Sequence, residues 1–351
     1  MSKAEKTLII LSPGFPKDEK DTTCLPFLQQ FILELKAQFP GLQVVILAFD
    51  YPFARHEYFW NTIRVISFNG WKKGRIAKLF VWRLILRTIT KIGRENDVIG
   101  LLSLWCGACA YLGHRFAKRN KLRHFCWIQG QDAKKGNRYV PIINPSPAEL
   151  IAISDFIQSE FAKNYTIRPN IVIPAGINPA EFRPSNTERH IDILGVGSLI
   201  PLKQYHLFIE IIFQVKQYIP GIHAVLCGKG PEESGLKELV LRFGLEDNII
   251  IIGERPHAEV LQYMMQSKIF LHSSSYEGFS IACMEALYAG CHLLSFVRAM
   301  DYDIKHWHIL TTKEQMAEKS RSLLSSPETD YCAVETVTVS ESVNKIMQLF
   351  V

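Results

Sequence analysis

Two carboxylates stand eight residues apart in the run Ser274-Ser-Tyr-Glu-Gly-Phe-Ser-Ile-Ala-Cys-Met-Glu-Ala-Leu-Tyr-Ala-Gly290. They are Glu277 and Glu285, and they flank a strand-to-helix turn. Lys268 to His272 reads as a short buried strand, and Ser280 as the cap of a helix over Ile281 to Ala289 that stops at Gly290. Glu277 then lies in the loop at the helix mouth, and Glu285 about one turn inside, roughly 6 Å along the axis. The unpaired N–H groups of a helix start attract phosphate. A carboxylate accepts hydrogen bonds from vicinal hydroxyls, which N–H groups and lysine, being donors only, cannot do. This set of groups suits a diphosphate with one sugar on each side.

The elements that must position these groups alternate between strand and helix twice over. In the first half, Leu8 to Leu11, Gln43 to Phe49, Val65 to Phe68, Val98 to Leu102, His124 to Ile128 and Leu150 to Ser154 are strand candidates, with helical periodicity between most of them. In the second half, Asp192 to Gly197, His223 to Gly228, Ile249 to Gly253, Ile269 to His272 and Leu293 to Phe296 repeat the pattern. Such alternation predicts two doubly wound parallel sheets, with ligands beyond the carboxyl ends of the strands. A chain of 351 residues that is 48% hydrophobic exceeds one ordinary core, and the Pro-rich stretch from Pro174 to Pro184 is the expected linker.

The acidic run resembles the E-x7-E signature of the retaining family 4 glycosyltransferases, E-G-F-G-x4-E-A-M-A-x-G. Ile193-Leu-Gly-Val-Gly-Ser-Leu-Ile-Pro-Leu-Lys-Gln204 is similar to that family's V-G-R-L-x-x-x-K-G strand and loop, and Ala224-Val-Leu-Cys-Gly-Lys-Gly-Pro231 to its I-x-G-x-G-P segment. Ile250 to Val260, Ile151 to Ile157 and Ile173 to Asn178 also have counterparts. The resemblance implies the GT-B architecture, two Rossmann-like domains facing a central cleft: residues 1–178 binding acceptor, 179–335 binding nucleotide sugar, and 336–351 a helix returning to the first domain.

The resemblance also implies roles. Lys203 would bind the donor diphosphate, Glu285 the nucleotide ribose and Glu277 the hydroxyls of the transferred sugar. The backbone near Glu254 and Arg255 would take the base. Negative charge grows on the leaving diphosphate as the anomeric bond breaks, and Lys203 with the N–H groups of Gly278, Phe279, Ser280 and Ile281 is placed to stabilise it. No metal or cofactor is needed. The family's phosphate-binding arginine is replaced by Ser198, with Lys229 and Arg255 as candidate substitutes. Where many members carry His-Gly-x-Asp, this chain has Gln129-Gly-Gln-Asp132; Gln129 can donate a hydrogen bond but cannot act as a base, and Asp132 could orient hydroxyls or cap a helix. Gly14, in the first loop, can let backbone approach a ligand.

Charge is unevenly shared. From Arg55 to Arg138 there are 18 Lys or Arg against four acids, a net +14, in a chain whose total is +6. The segment from Trp71 to Arg94 carries eight basic residues and no acid. On a helical wheel Lys72, Lys73, Arg75, Arg87, Lys91 and Arg94 fall within about 80° of Arg83, and Ile76, Leu79, Phe80 and Leu86 share that side. Basic residues mixed with apolar ones suit a helix lying on an anionic bilayer. No nucleic-acid motif accompanies the charge, so nucleic acid is not an expected partner. Met1 to Lys6 leads into a strand without a signal sequence, and no run of 18 apolar residues occurs. The expected place is cytoplasmic, at the inner membrane face, with a glycan or lipid-linked acceptor.

Two patterns invite metal and are discounted on sequence. Asp301-Tyr-Asp303 is a three-residue match to a divalent-ion motif and falls on a surface loop, and the alternate spacing of His306 and His308 defines no ligand geometry. A nucleotide-sugar epimerase on the same fold and a catalytically silent sugar-nucleotide-binding protein are the other functional readings.

Overall fold

The structure is a computed structural model that describes residues 5–182 and 188–351. Pro184, the end of the expected linker, and Met1 to Ala4 of the N-terminal run lie outside the described residues. The chain divides into two compact units, Met1–Gly176 with Thr338–Val351, and Ile177–Val337.

The first unit is built on β1 (Lys6–Gly14), α1 (Pro26–Gln38), β2 (Gln43–Tyr51), β3 (Glu57–Trp60), β4 (Ile63–Ser67), α2 (Arg75–Glu95), β5 (Asp97–Leu104), α3 (Ala108–Asn120), β6 (Arg123–Ile128), α4 (Tyr139–Ile143), β7 (Leu150–Ala152), α5 (Asp155–Tyr165) and β8 (Ile171–Val172). Its sheet runs β3-β4-β2-β1-β5-β6-β7-β8 and is parallel except for the β3–β4 edge pair. The central strands read as continuous apolar runs because both faces are covered: Leu8, Ile9, Ile10 and Leu11 are all fully buried.

On α2 the residues facing the sheet are Val81, Ile85, Ile89 and Ile92, a repeat of three to four that buries one stripe. The helix begins later than the basic run suggests. Gly74 is its N-cap and Lys72 takes a φ of 51°, so Lys72 and Lys73 belong to the preceding turn and do not share the helical face of Arg83.

The second unit comprises β9 (Ile191–Val196), α6 (Tyr205–Lys216), β10 (Ala224–Cys227), α7 (Glu233–Arg242), β11 (Ile249–Gly253), α8 (His257–Met265), β12 (Ser267–His272), α9 (Ile281–Tyr288), β13 (His292–Ser295), β14 (Trp307–Ile309) and α10 (Lys313–Ser325). The sheet order β11-β10-β9-β12-β13-β14, all parallel, is the doubly wound order, with its reversal between β9 and β12. The last helix, α11 (Val339–Gln348), belongs to the first unit, where Gln38 on α1 donates to Ser340 and the Phe350 ring packs against Phe125.

Candidate donor site in the second unit

The loops that leave the carboxyl ends of β9 and β12 meet at the point where strand order reverses. Ser273 Oγ donates to the Lys203 carbonyl at 2.7 Å, and Ser275 N to that of Leu202 at 3.2 Å. The loops after β9 and β10 are fused still more tightly. Gly228, at a φ of 153°, sits so close that a Cβ there would lie 1.9 Å from the Gly197 carbonyl oxygen, and one on Gly230 would lie 2.3 Å from that of Leu199. Only glycine permits this backbone-on-backbone packing, which fixes the path of the chain toward Lys203.

Lys203 and Glu277, 74 residues apart, are ion-paired through Lys203 Nζ and Glu277 Oε2. The His272 Nε2 stands 3.3 Å from the same carboxylate oxygen and 3.1 Å from Ser274 Oγ, within hydrogen-bond reach of the hydroxyl. Burial pushes Glu277 up, but His272 and Lys203 outweigh it and hold the carboxyl down at about 2. Burial likewise pushes His272 down, and Cys283 and Glu277 beside it raise it to about 9. The three side chains form one charged unit, with a lysine held at the mouth of a helix.

That helix is α9. Ser280 caps it, its Oγ accepting from Cys283 N at 3.3 Å, and Gly290 closes its far end at a φ of 87°. The cap is the one expected from sequence, and the helix ends one residue earlier. Gly278 and Phe279 are buried in the turn before it, and Ile281 is its first residue. The first-turn N–H groups stand at the positive end of the helix dipole.

Glu285 faces inward on α9, its side chain 10% exposed. Its Oε1 accepts from His257 Nε2 at 2.7 Å, while His257 Nδ1 stands 3.1 Å from Glu181 Oε2. Burial lowers His257, and the two carboxylates overcome this and raise it to about 10, so the imidazolium is a fixed charge between them. His257 opens α8, directly after the loop that carries Glu254 and Arg255, both exposed. Ser198 and Lys229 are exposed on the loops after β9 and β10.

The remaining sequence candidates lie in the first unit and behave differently. Both oxygens of Asp132 are engaged by backbone: Oδ2 accepts from Cys106 N at 2.7 Å, and Oδ1 from Gly130 N at 2.8 Å and Gln129 N at 3.1 Å. Its carboxylate thus ties the loop after β5 to the loop after β6, and caps no α-helix. Gln129 turns its amide back to the Trp127 carbonyl at 3.3 Å. Gly14 ends β1 instead of opening a loop, and a Cβ there would make only ordinary contacts, 3.4 Å to Tyr51 and 3.6 Å to Cys24.

Sequence reasoning does not single out His257 or His272. His257 stands 28 residues from Glu285 in the chain, and no local pattern links the two. The packing of α8 beside α9 brings them together. His272 is the last residue of β12, at the carboxyl edge of the sheet where ligands bind, and that strand-terminal place is the signal that could reveal it.

Residues 178–332 match the family model of glycosyl transferases group 1. The chain is 35% identical over 127 residues to a component of the phosphatidylinositol N-acetylglucosaminyltransferase of Arabidopsis thaliana, a match covering 36% of this chain and 28% of that one. It is 28% identical over 144 residues to a component of the UDP-N-acetylglucosamine–peptide N-acetylglucosaminyltransferase of Streptococcus pneumoniae, covering 41% and 28%. The matches thus span less than a third of either relative. Among solved structures, HepE of Anabaena in complex with UDP and glucose superposes with a TM-score of 0.66 at 16% identity, over 99% of this chain and 95% of that one. The fold is that of the GT-B glycosyltransferases.

Proposed function

We propose that the chain is a retaining glycosyltransferase that moves a sugar from a nucleoside diphosphate sugar to a glycan or lipid-linked acceptor, with no metal at the donor site. The observation that carries this reading is the Lys203–Glu277 pair at the mouth of α9, with Glu285 buried one turn inside. An arriving diphosphate takes over Lys203 and the helix N–H groups. Glu277 is then released to accept hydrogen bonds from the transferred sugar, and Glu285, held by His257, accepts from the ribose. As the anomeric bond breaks, charge grows on the diphosphate where Lys203 and the helix dipole already stand. UDP and N-acetylglucosamine are the proposed nucleotide and sugar of the donor, supported by the names of the relatives and by the UDP in the solved neighbour.

The first unit is the proposed acceptor side, at an anionic membrane surface on the cytoplasmic face. Among the described residues no helix is long and apolar enough to cross a membrane. The outer part of α2 leaves Ile76, Leu79 and Phe80 between 62% and 74% exposed, and Arg83, Arg87, Lys91 and Arg94 line a neighbouring surface depression together with a single acid, Glu95, 3.8 Å from Lys91. Trp71, just before the helix, and Phe53, in the loop after β2, are also exposed and stand with ring centroids 6.4 Å apart. Apolar side chains beside a basic row suit insertion between anionic headgroups.

The test is incubation with UDP-N-acetylglucosamine and other UDP, GDP and ADP sugars in the presence of extracted membrane glycolipids. Released nucleotide and the anomeric configuration of the product would be read by chromatography and NMR. Transfer with retention is expected; inversion, or isomerisation of donor without acceptor, contradicts the proposal.

A further inference from the structure

At the amino-terminal ends of β13 and β14, opposite the strand ends that carry the donor loops, three potential metal ligands converge. They are His306, Asp330 and Cys332, and one ligand atom of each lies within 4.8 Å of the others. Asp330 Oδ2 is 3.0 Å from Cys332 Sγ and 3.8 Å from His306 Nε2. Ligand atoms around a tetrahedral zinc ion, at about 2.0–2.3 Å from the metal, stand about 3.3–3.8 Å apart, so the hydrogen-bonded Asp330–Cys332 pair opens by a few tenths of an ångström to take one.

His306 and Asp330 are anchored by β13 residues outside the cluster, and Cys332 is turned toward them by Asp330. Leu293 N on β13 donates to the His306 carbonyl at 2.9 Å, and the histidine is kept at a φ of 65°, an uncommon conformation for a residue with a side chain. Its ring is nine-tenths buried, and among the described residues its Nδ1 has no hydrogen-bond partner. His292 Nε2 donates to the Asp330 carbonyl at 2.9 Å, and Asp330 Oδ1 accepts from Cys332 N at 2.9 Å, which turns Oδ2 and Sγ to the same side. A cation already bridges that pair: Lys305 Nζ is 2.9 Å from Asp330 Oδ2 and 3.2 Å from Cys332 Sγ. The Lys305 side chain is 61% exposed and can swing into solvent.

We propose that His306, Asp330 and Cys332 form a binding site for a divalent cation of the zinc class, with Lys305 capping the carboxylate and thiol until the metal displaces it. Metal binding releases to solvent the thiol proton that Cys332 donates to Asp330; one imidazole, one carboxylate and the resulting thiolate then select a borderline-soft ion, and the two negative ligands neutralise its charge. Bound there, the ion staples the irregular segment after α10 to the edge strand β14, at a site separate from donor binding.

The test uses the tag-free, reduced chain titrated anaerobically with cobalt(II). The expected result is saturation at one equivalent, with a thiolate-to-cobalt charge-transfer band in the near ultraviolet that one equivalent of zinc removes. Cys332→Ser, at an exposed position, abolishes the band, and Asp330→Asn weakens binding at least about tenfold; Cys24→Ser leaves both unchanged. Folded wild-type protein without the band, or a band that persists in Cys332→Ser, overturns the proposal.

Discussion

Replacing His257 by glutamine keeps a hydrogen-bonding side chain between Glu181 and Glu285 but removes the positive charge. The two carboxylates raise His257 from 6.5 to about 10 against the opposing effect of burial. A folded-state value above the unfolded one means that the stabilisation is complete below pH 6.5 and is lost as pH rises through about 10. The rise corresponds to at most about 5 kcal/mol. With the side chain 26% exposed, solvent screening reduces this to roughly 2 kcal/mol. For a unit of this size that is a difference of about 4–8 °C in Tm. Thermal unfolding of wild type and His257→Gln should therefore differ most near pH 6 and converge as pH rises past about 10. Cysteines and lysines elsewhere titrate in both proteins, so the difference between the two curves is the readout. A gap that stays constant across this range, or widens with pH, would refute the reasoning.

Other consequences follow from the same structure. Gly228→Ala should destabilise the second unit by on the order of 3 kcal/mol, because its Cβ meets the Gly197 carbonyl at 1.9 Å in a conformation that side chains avoid; urea unfolding measures this, and a neutral change would contradict the packing argument. Reversing Arg83, Arg87 and Lys91 to Glu should weaken flotation with anionic liposomes at least about 100-fold at low salt, from about 1 kcal/mol per basic residue. Unchanged flotation would remove the membrane proposal.

Much of the parallel sheet is legible because buried strands are continuous runs of Val, Ile and Leu, as in Thr7-Leu-Ile-Ile-Leu11 and Ile249-Ile-Ile-Ile252. The strands that the pattern does not reveal are β3, β8 and β14, which have four, two and three residues and lie at sheet edges, where one side is unpaired and the apolar pattern lapses. The start of α2 reads too early because the basic run is continuous across Gly74 while the backbone is not. In the site, the cap and the two glutamates on either side of it are local features and can be read directly. The contact of Lys203 with Glu277 depends on the adjacency of β9 and β12, and that of His257 with Glu285 on helix packing. Asp132 shows the reverse: its residue type suggests a chemical role directly, while the three backbone N–H groups that orient its carboxylate come from the loops after β5 and β6 and cannot be read from the sequence.

The most direct measurement of the central claim is calorimetric binding of UDP and of UDP-N-acetylglucosamine to Glu285→Gln and Glu277→Gln. Loss of a hydrogen bond to a charged group, about 1.5–3 kcal/mol, should lower UDP affinity at least about tenfold in Glu285→Gln. Glu277→Gln frees Lys203 for the diphosphate, so UDP should bind as well as or better than to wild type, while the advantage of the complete donor over UDP is lost. Equal loss of UDP affinity in both variants would contradict the division of the two carboxylates between ribose and transferred sugar.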